Sequence, residues 1–264
     1  MPELPEVEVK RRYLEGNSLY KPVIRVVVPD ARVLDNVTPS SLGRELKRAS
    51  FVAARRRGKY ILLPTDNGRT LLVHFGMTGD IFFLAKGDKR PEWNRVEFHF
   101  DNGSCLHYTS KRVLGKIALF PTTDDNDIPD IARLGPEPLS RGFTFKRFQA
   151  IVSPRGSAIH SVLMNQELIA GIGNIYSDEI TFQAGVRPDR KASSLSPERL
   201  RRVFDSMKRV LRRAIQAGAN IDKYPDDFII PHRKRGGRCP RCGGALVKKT
   251  IGERSSYFCP TCQN

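Results

Sequence analysis

The chain has 264 residues, 39% of them hydrophobic and 28% charged, which is the composition of a folded globular protein. No apolar run approaches the ~18 residues of a membrane span, and the acidic, proline-rich start is unlike a signal peptide, so we expect a cytosolic protein without a membrane segment. Lys and Arg number 45 against 28 acids, and the net charge of +17 favours a nucleic-acid binder, with a ribosome-associated protein or a merely basic surface as alternatives.

A helix is predicted at the amino end, over residues 3–16. Pro5 suits its first turn, Glu6 and Glu8 suit the positive end of its dipole, and Gly16 suits its end. This reading leaves the first Pro-Glu pair of the chain without a structural role.

The segment 17–122 is predicted to form an antiparallel β-sandwich or barrel. Short stretches rich in β-branched and aromatic residues indicate its strands, which are 23–28, 60–63, 70–75, 81–84 and 96–100. The Asn-Gly pairs at 67–68 and 102–103 are strong hairpin signals between such strands.

Helices are predicted to dominate after a polar break at 122–130. The clearest one begins with Ser196 as its N-cap and Pro197 in its first turn, and it ends near Gly218. Apolar residues recur within it at three- and four-residue steps, with Arg and Lys between them. A basic loop at 232–238 leads into the last segment of the chain.

Four cysteines near the carboxyl end form two Cys-x-x-Cys pairs, Cys239/Cys242 and Cys259/Cys262. Such pairs are typical of a four-cysteine tetrahedral zinc site, with two disulfides or an iron–sulfur cluster as alternatives. A cytosolic location disfavours disulfides. Four protein ligands would make the single zinc ion structural. The fifth cysteine, Cys105, is expected to be a small buried apolar residue in a strand.

A glycine turn, Gly171-Ile-Gly173-Asn174, lies between two helical stretches. Glycines just before a helix let backbone N–H groups approach a phosphate, and Asn174 adds a side-chain donor. Glycines of this kind also serve simply to turn the chain between helices. The basic charge and the predicted zinc site favour phosphate binding over a plain turn.

Five short motifs and the cysteine segment resemble the formamidopyrimidine-DNA glycosylase/endonuclease VIII family. The motifs are MPELPEVE, RRRGKY, HFGMTG, LGPEPL, GIGNIYSDE and the four-cysteine finger, in the family's order. The resemblance spans essentially the whole chain and implies an α+β multidomain fold. A β-sandwich with an N-terminal helix would occupy 1–133, a helix–two-turn–helix domain 134–230, and a zinc-finger hairpin 231–264. DNA is expected to run through a positively charged cleft between the domains.

The resemblance gives the opening Pro-Glu pair a catalytic role. Once Met1 is removed, Pro2 carries a secondary amine that attacks the sugar C1′ of a damaged nucleotide and forms an iminium, or Schiff base. Glu3 is placed for the proton transfers. Three further catalytic candidates match the family: Lys59 as the active-site lysine, Glu6 as an active-site acid, and Arg254 as the zinc-finger arginine that grips phosphates.

The same resemblance implies a set of DNA contacts. Met77, Arg112 and Leu114 are expected to fill the space left by an extruded nucleotide, with Leu114 in place of the phenylalanine of formamidopyrimidine glycosylases. Asn174 matches a phosphate-binding asparagine. His160 stands where these enzymes usually have a lysine, which would make one phosphate contact weaker or pH-sensitive.

The sequence therefore predicts a bifunctional DNA glycosylase and abasic-site lyase of base excision repair, with β- and δ-elimination on damaged double-stranded DNA. A cytoplasmic, nucleoid-associated monomer with one zinc ion is expected. The segment 218–239 is shorter than the corresponding segment of formamidopyrimidine glycosylases, which folds over an extruded 8-oxoguanine. The sequence therefore leaves 8-oxoguanine, ring-opened purines and oxidised pyrimidines open as substrates. The alternatives are a DNA-binding zinc protein without glycosylase activity and a lyase with little base excision. Pro2 and Glu3 favour the enzyme, because a pure binder has no need for an amine nucleophile beside an acid.

Overall fold

The computed structural model describes all 264 residues and divides into two compact units. The first unit comprises residues 1–2 and 6–133, and the second comprises 3–5 and 134–264. The second unit includes the start of the chain because Leu4 belongs to its hydrophobic core. None of the helices combines the length and the apolar character needed to cross a membrane.

Two four-stranded sheets and three helices make up the first unit. The helices are α1 (Leu4–Asn17), which begins in the second unit, α2 (Pro39–Leu46) and α3 (Pro129–Ala132). The strands are β1 (Val23–Val27), β2 (Arg55–Arg57), β3 (Tyr60–Pro64), β4 (Thr70–His74), β5 (Gly79–Leu84), β6 (Asn94–Phe100), β7 (Cys105–Ser110) and β8 (Lys116–Phe120). They form two antiparallel sheets with the orders β1-β6-β7-β5 and β2-β3-β4-β8.

One hydrophobic core receives side chains from both sheets, which confirms the predicted β-sandwich. Phe51 packs edge-on against Phe98 within it, with ring centroids 6.0 Å apart. Successive side chains of a strand point to opposite faces of the sheet. Leu106 of β7 therefore faces this core, whereas Cys105 and His107 lie on the other face. Cys105 is buried as predicted, but it does not belong to the hydrophobic cluster between the two sheets.

The turns of the sandwich follow the sequence closely. Both predicted Asn-Gly hairpins are present, and Gly68 and Gly103 have φ of +80° and +82°, conformations that favour glycine. The predicted end of α1 is wrong by one residue, because the helix passes through Gly16. Helix α2 was not predicted, although Thr38 caps it and Pro39 opens it, which is a recognisable start signal.

Helices and a short hairpin make up the rest of the second unit. They are α4 (Phe145–Val152), α5 (Ile159–Met164), α6 (Asn174–Ala184), α7 (Pro197–Gln216), β9 (Val247–Ile251) and β10 (Arg254–Phe258). Helix α7 is confirmed as predicted: the Ser196 hydroxyl accepts a hydrogen bond from the Arg199 N–H at 3.4 Å, and Gly218 has a φ of +68°. Strands β9 and β10 form the two-stranded hairpin expected of a zinc ribbon.

Candidate active site

The carboxylate of Glu3 lies at the amino end of α6 and is 1% exposed. One of its oxygens accepts hydrogen bonds from the N–H groups of Gly173 at 2.6 Å and Tyr176 at 3.3 Å, and the other accepts from Ile175 at 2.9 Å. N–H groups in the first turn of a helix have no partner within the helix, and the helix dipole attracts negative charge there. These contacts therefore stabilise Glu3 as an anion, the form that accepts a proton.

Two glycines allow the start of the chain to approach α6, Gly171 beside Leu4 and Gly173 beside Glu3. Gly171 has a φ of +89°, and a Cβ atom on Gly173 would lie 2.5 Å from the carboxyl carbon of Glu3. The prediction that backbone N–H groups of this turn bind a phosphate is wrong for Gly173, Ile175 and Tyr176, because Glu3 already occupies them. The glycines instead admit an acid from 170 residues away in the chain.

Asn174 connects the amino end of α6 to the start of β10. Its side-chain N–H donates a hydrogen bond to the carbonyl of Ser255 at 2.9 Å, and its Oδ1 is buried without a partner. Ser255 directly follows Arg254, the exposed first residue of β10. The hydrogen bond thus places two predicted phosphate-binding residues in one region of the second unit.

The predicted phosphate contact of His160 is wrong, because its side chain is fully buried. Its Nε2 lies 3.3 Å from Oδ1 of Asp178, a buried residue of α6. Asp178 also accepts hydrogen bonds from the Ser256 hydroxyl at 2.5 Å, the Tyr257 N–H at 2.9 Å and the Arg233 side chain at 2.8 Å. His160 therefore faces an internal carboxylate that joins α6 to the hairpin.

Lys59 occupies a two-residue turn between β2 and β3, in which Gly58 has a φ of +56°. Its side chain is 8% exposed, so it is not a freely solvated lysine. Burial, and then the charges of Lys59 and Lys116, lower the pKa of His74 to about 4. The neutral imidazole of His74 accepts a hydrogen bond at Nδ1 from the Gly76 N–H at 3.3 Å. Sequence reasoning missed His74, although it opens the HFGMTG motif.

Met77, Arg112 and Leu114 project from two neighbouring turns of the first unit. Met77 is 40% exposed and Leu114 is 51% exposed. The Arg112 N–H donates to the Thr78 hydroxyl at 3.0 Å, and its guanidinium lies 3.3 Å from the sulfur of Met77. A Cβ atom on Gly76 would lie 2.3 Å from the Leu114 carbonyl, so this glycine permits the two turns to touch. The structure brings the three predicted wedge residues together and leaves them accessible.

The remaining candidates lie at the start of the chain. Pro2 is half-buried and follows Met1, and Glu6 is in the first turn of α1 as predicted. Glu8, expected to act on the helix dipole, has a different role. Its carboxylate accepts hydrogen bonds from Arg11 and Arg56, each at 3.1 Å, and so joins α1 to β2.

The four cysteines of the hairpin are arranged to bind one metal ion. Their sulfur atoms lie within 4.8 Å of one another, with 3.8 Å between Cys239 and Cys262 and 3.5 Å between Cys242 and Cys259. Zinc–sulfur bonds of about 2.3 Å in a tetrahedron place sulfur atoms about 3.8 Å apart, whereas a disulfide needs about 2.05 Å. The Arg241 N–H points to the Cys239 sulfur at 3.4 Å, which suits a thiolate. These distances fit structural zinc and exclude two disulfides.

Zinc removal is expected to unfold the hairpin. The buried cluster beneath it contains only Phe182, Ile229, Cys239 and Cys259, so metal binding must supply much of its folding free energy. After dialysis against a strong chelator, we expect four thiols to react rapidly with a thiol reagent and trypsin to cleave within β9. Added zinc should reverse both changes. Slow thiol reaction and resistance to trypsin in the zinc-free protein would show that the hairpin is stable without metal.

Three family models together match most of the chain. The formamidopyrimidine-DNA glycosylase N-terminal domain matches residues 1–117, and the H2TH domain of the same glycosylase matches 134–225. A zinc finger found in FPG and IleRS matches 236–264, the part that contains all four clustered cysteines.

Curated proteins and solved structures match over the full length of the chain. Formamidopyrimidine-DNA glycosylase of Pelobacter propionicus is 39% identical over 271 residues, with 100% of both chains covered. That of Pelotomaculum thermopropionicum is 34% identical, with 100% of this chain and 99% of the relative covered. The Lactococcus lactis enzyme bound non-covalently to DNA containing an AP site is 28% identical, with a TM-score of 0.87 and 99% of both chains covered. Its complex with Fapy-dG DNA also gives a TM-score of 0.87 at 28% identity, covering 99% of this chain and 100% of that one.

Proposed function

Because the chain belongs to the formamidopyrimidine-DNA glycosylase family, it is a DNA glycosylase of base excision repair with abasic-site lyase activity, and we propose that Pro2 and Glu3 perform this chemistry. Removal of Met1 makes the Pro2 nitrogen a secondary amine, which is a nucleophile in its neutral form. The observation that supports the proposal most directly is the environment of the next residue, Glu3. Glu3 is a buried carboxylate held in place by three backbone N–H groups.

The proposed reaction starts when the Pro2 lone pair forms a bond to C1′ of the damaged nucleotide. The bond between C1′ and the base breaks, and the base leaves with a proton. The C1′–O4′ bond then breaks as the nitrogen lone pair forms a double bond to C1′, O4′ takes a proton, and an iminium remains. The cationic iminium withdraws electrons, so a proton is lost from C2′ and the 3′ phosphate departs. A second elimination releases the 5′ phosphate. Glu3, held as an anion, is suited to accept protons at the sugar in these steps.

Three residues are proposed to hold the DNA backbone: Lys59, Asn174 and Arg254. Arg254 is exposed and Asn174 is hydrogen-bonded to the residue that follows it. Lys59 lies near His74, whose lowered pKa keeps the imidazole neutral, so His74 does not repel the lysine charge. Glu6 is proposed as a further acid at the reacting sugar. The net charge of +17 supports an electrostatic contribution to binding that falls with added salt.

Loss of a wedge side chain is expected to slow excision from duplex DNA. Extruding a nucleotide costs a few kcal/mol, and we propose that Met77 and Leu114 offset part of this cost. Met77→Ala and Leu114→Ala should therefore each reduce single-turnover excision from a duplex by about tenfold, a ~1.4 kcal/mol effect. The same lesion in single-stranded DNA should be affected much less. Ile24→Ala, which truncates an exposed residue of β1, is the control, and equal losses on both substrates would contradict the wedge role.

Oxidised or ring-opened bases are the proposed substrates. The Lactococcus lactis relative has been seen with Fapy-dG DNA, and this chain differs from the family pattern at Leu114 and in the segment 218–239. The test incubates the protein and borohydride with duplexes that contain 8-oxoguanine, ring-opened guanine, thymine glycol, dihydrouracil or an abasic site. The amounts of base excision and of trapped complex rank these substrates. Excision of at least one damaged base supports the proposal. Trapping on the abasic site alone would indicate chiefly a lyase, and no trapping on any duplex would indicate a DNA-binding zinc protein.

We further propose that one chain acts alone on damaged double-stranded DNA, in the bacterial cytoplasm and associated with the nucleoid. The segments 1–133, 134–230 and 231–264 are the proposed functional domains. One chain carries the amine, the acid and the zinc cysteines, so the proposed chemistry needs no residue from a second copy. Sedimentation of the protein with a lesion duplex should give a 1:1 complex.

A further inference from the structure

Four side chains of metal-ligating type lie on one face of the β6–β7 pair. Glu97 and His99 are two residues apart on β6, and Cys105 and His107 are two residues apart on β7. In the antiparallel register, Glu97 is opposite His107 and His99 is opposite Cys105. Directly opposite residues and every second residue of a strand share one sheet face. The four side chains therefore form a two-by-two patch on the face away from the sandwich core.

Ligand atoms of three of these side chains converge, and His99 adjoins one of the three. One such atom from each of Glu97, Cys105 and His107 lies within 4.8 Å of the others, and Nε2 of His99 is 2.8 Å from Oε2 of Glu97. Glu97, Cys105 and His107 are 6%, 8% and 6% exposed. The patch lines a depression of about 310 Å³ whose rim includes residues 84–88, so a small ion has a path from solvent.

Asn94 orients two of the four donors. Its side-chain N–H donates to Oε1 of Glu97 at 2.6 Å, and its Oδ1 lies 3.2 Å from Nδ1 of His107. Since this oxygen only accepts, Nδ1 of His107 carries the proton and the Nε2 lone pair remains available to a metal. Arg90 also forms an ion pair with Glu97. Outer hydrogen bonds of this kind are what orient metal-bound imidazoles and carboxylates.

We propose that Glu97, His99, Cys105 and His107 bind a zinc ion in addition to the one in the finger. One thiolate, two imidazoles and one carboxylate are all zinc ligands, and four protein donors complete a tetrahedral site of the structural type. Binding forms four metal–ligand bonds. It releases the thiol proton of Cys105 to solvent, whereas His99 and His107 bind as neutral imidazoles that each keep one ring proton, and the thiolate and the carboxylate balance the charge of Zn²⁺. Sulfur and nitrogen donors disfavour Mg²⁺ and Ca²⁺, which take oxygen ligands.

Zinc stoichiometry tests the proposal on the full-length protein with its finger zinc in place. The protein is dialysed against buffers of increasing free zinc, and bound zinc per chain is measured. We expect the wild type to pass from one to two zinc ions per chain. Cys105→Ser and His107→Gln should keep one zinc ion per chain at the free zinc concentration that saturates the wild type. Each should lose more zinc affinity than the about 10–100-fold that follows when a residue hydrogen-bonded to a metal ligand is replaced. His232→Gln removes a histidine outside the patch and should reach two.

Cobalt(II) identifies the ligands directly. Added to the one-zinc protein, it should give visible d–d bands and a near-ultraviolet thiolate-to-cobalt charge-transfer band. The charge-transfer band should disappear in Cys105→Ser. No zinc should be released during the titration, because the finger cysteines keep theirs. The thermal midpoint of the wild type should rise with free zinc, and that of Cys105→Ser should not.

Three results would overturn the proposal. The first is a wild-type protein that keeps one zinc ion per chain at every free zinc concentration. The second is cobalt uptake matched by an equal release of zinc, which would assign the spectrum to the finger. The third is a Cys105→Ser or His107→Gln protein that binds the second ion as tightly as the wild type. Circular dichroism equal to that of the wild type, with one finger zinc retained, shows that a variant is folded.

Discussion

Replacing Pro2 with leucine will abolish the covalent complex that borohydride traps between this protein and DNA with an abasic site. A large second residue keeps Met1 in place, so the nitrogen of residue 2 becomes an amide without a nucleophilic lone pair. Strand cleavage should fall ~10³-fold or more, since loss of the nucleophile has effects at least this large in other covalent enzymes. Binding of the same duplex should persist, because the proposed phosphate contacts are elsewhere in the chain.

A graded comparison separates the amine from the rest of the amino terminus. Pro2→Gly keeps a terminal amine at the same position, but the amine is primary. Its imine must gain a proton before it can withdraw electrons as the proline iminium does. We therefore expect trapping by Pro2→Gly to be slower than by the wild type and faster than by Pro2→Leu. Mass spectrometry must first show which variants have lost Met1. Undiminished trapping by Pro2→Leu would move the nucleophile to a lysine, of which Lys59 is the first candidate.

Local patterns in the sequence predicted most of the fold. Strand alternation, the Asn-Gly turns and the Ser196 cap depend on residues close together in the chain, and the structure has all three. The zinc site was predictable for the same reason, because each Cys-x-x-Cys pair already sets two ligands on one turn. Helix α2 was missed although its start signal is also local.

Contacts between distant segments were beyond sequence reasoning. The pattern of glycines before α6 suggested an anion, and an anion is there, but it is the carboxylate of Glu3 from the other end of the chain. His160 was placed on DNA by resemblance, whereas the buried Asp178 faces it in the structure. The patch of Glu97, His99, Cys105 and His107 depends on the register of β6 against β7, which no single strand reveals.

Glu3→Gln is expected to reduce base excision by ~10²–10⁴-fold, the range attributed to general acid–base catalysis. Glutamine cannot accept a proton at the sugar. It also offers one oxygen to the three N–H groups of Gly173, Ile175 and Tyr176, and its NH₂ group would face donors. The unsatisfied groups should lower the free energy of unfolding by about 1–3 kcal/mol. Single-turnover excision and chemical denaturation measure the two effects separately, and Glu15→Gln, an exposed residue of α1, is the control.

Gly173→Ala distinguishes the position of the carboxylate from its presence. The new Cβ atom would lie 2.5 Å from the carboxyl carbon of Glu3, so the side chain must move while its charge is retained. Because Gly173 acts through Glu3, we expect kcat to fall with little change in KM. Gly43→Ala is the matched control, since a Cβ atom there meets nothing within 4 Å. Wild-type kcat in Gly173→Ala together with an inactive Glu3→Gln would show that the acid is needed but that its position on α6 is not.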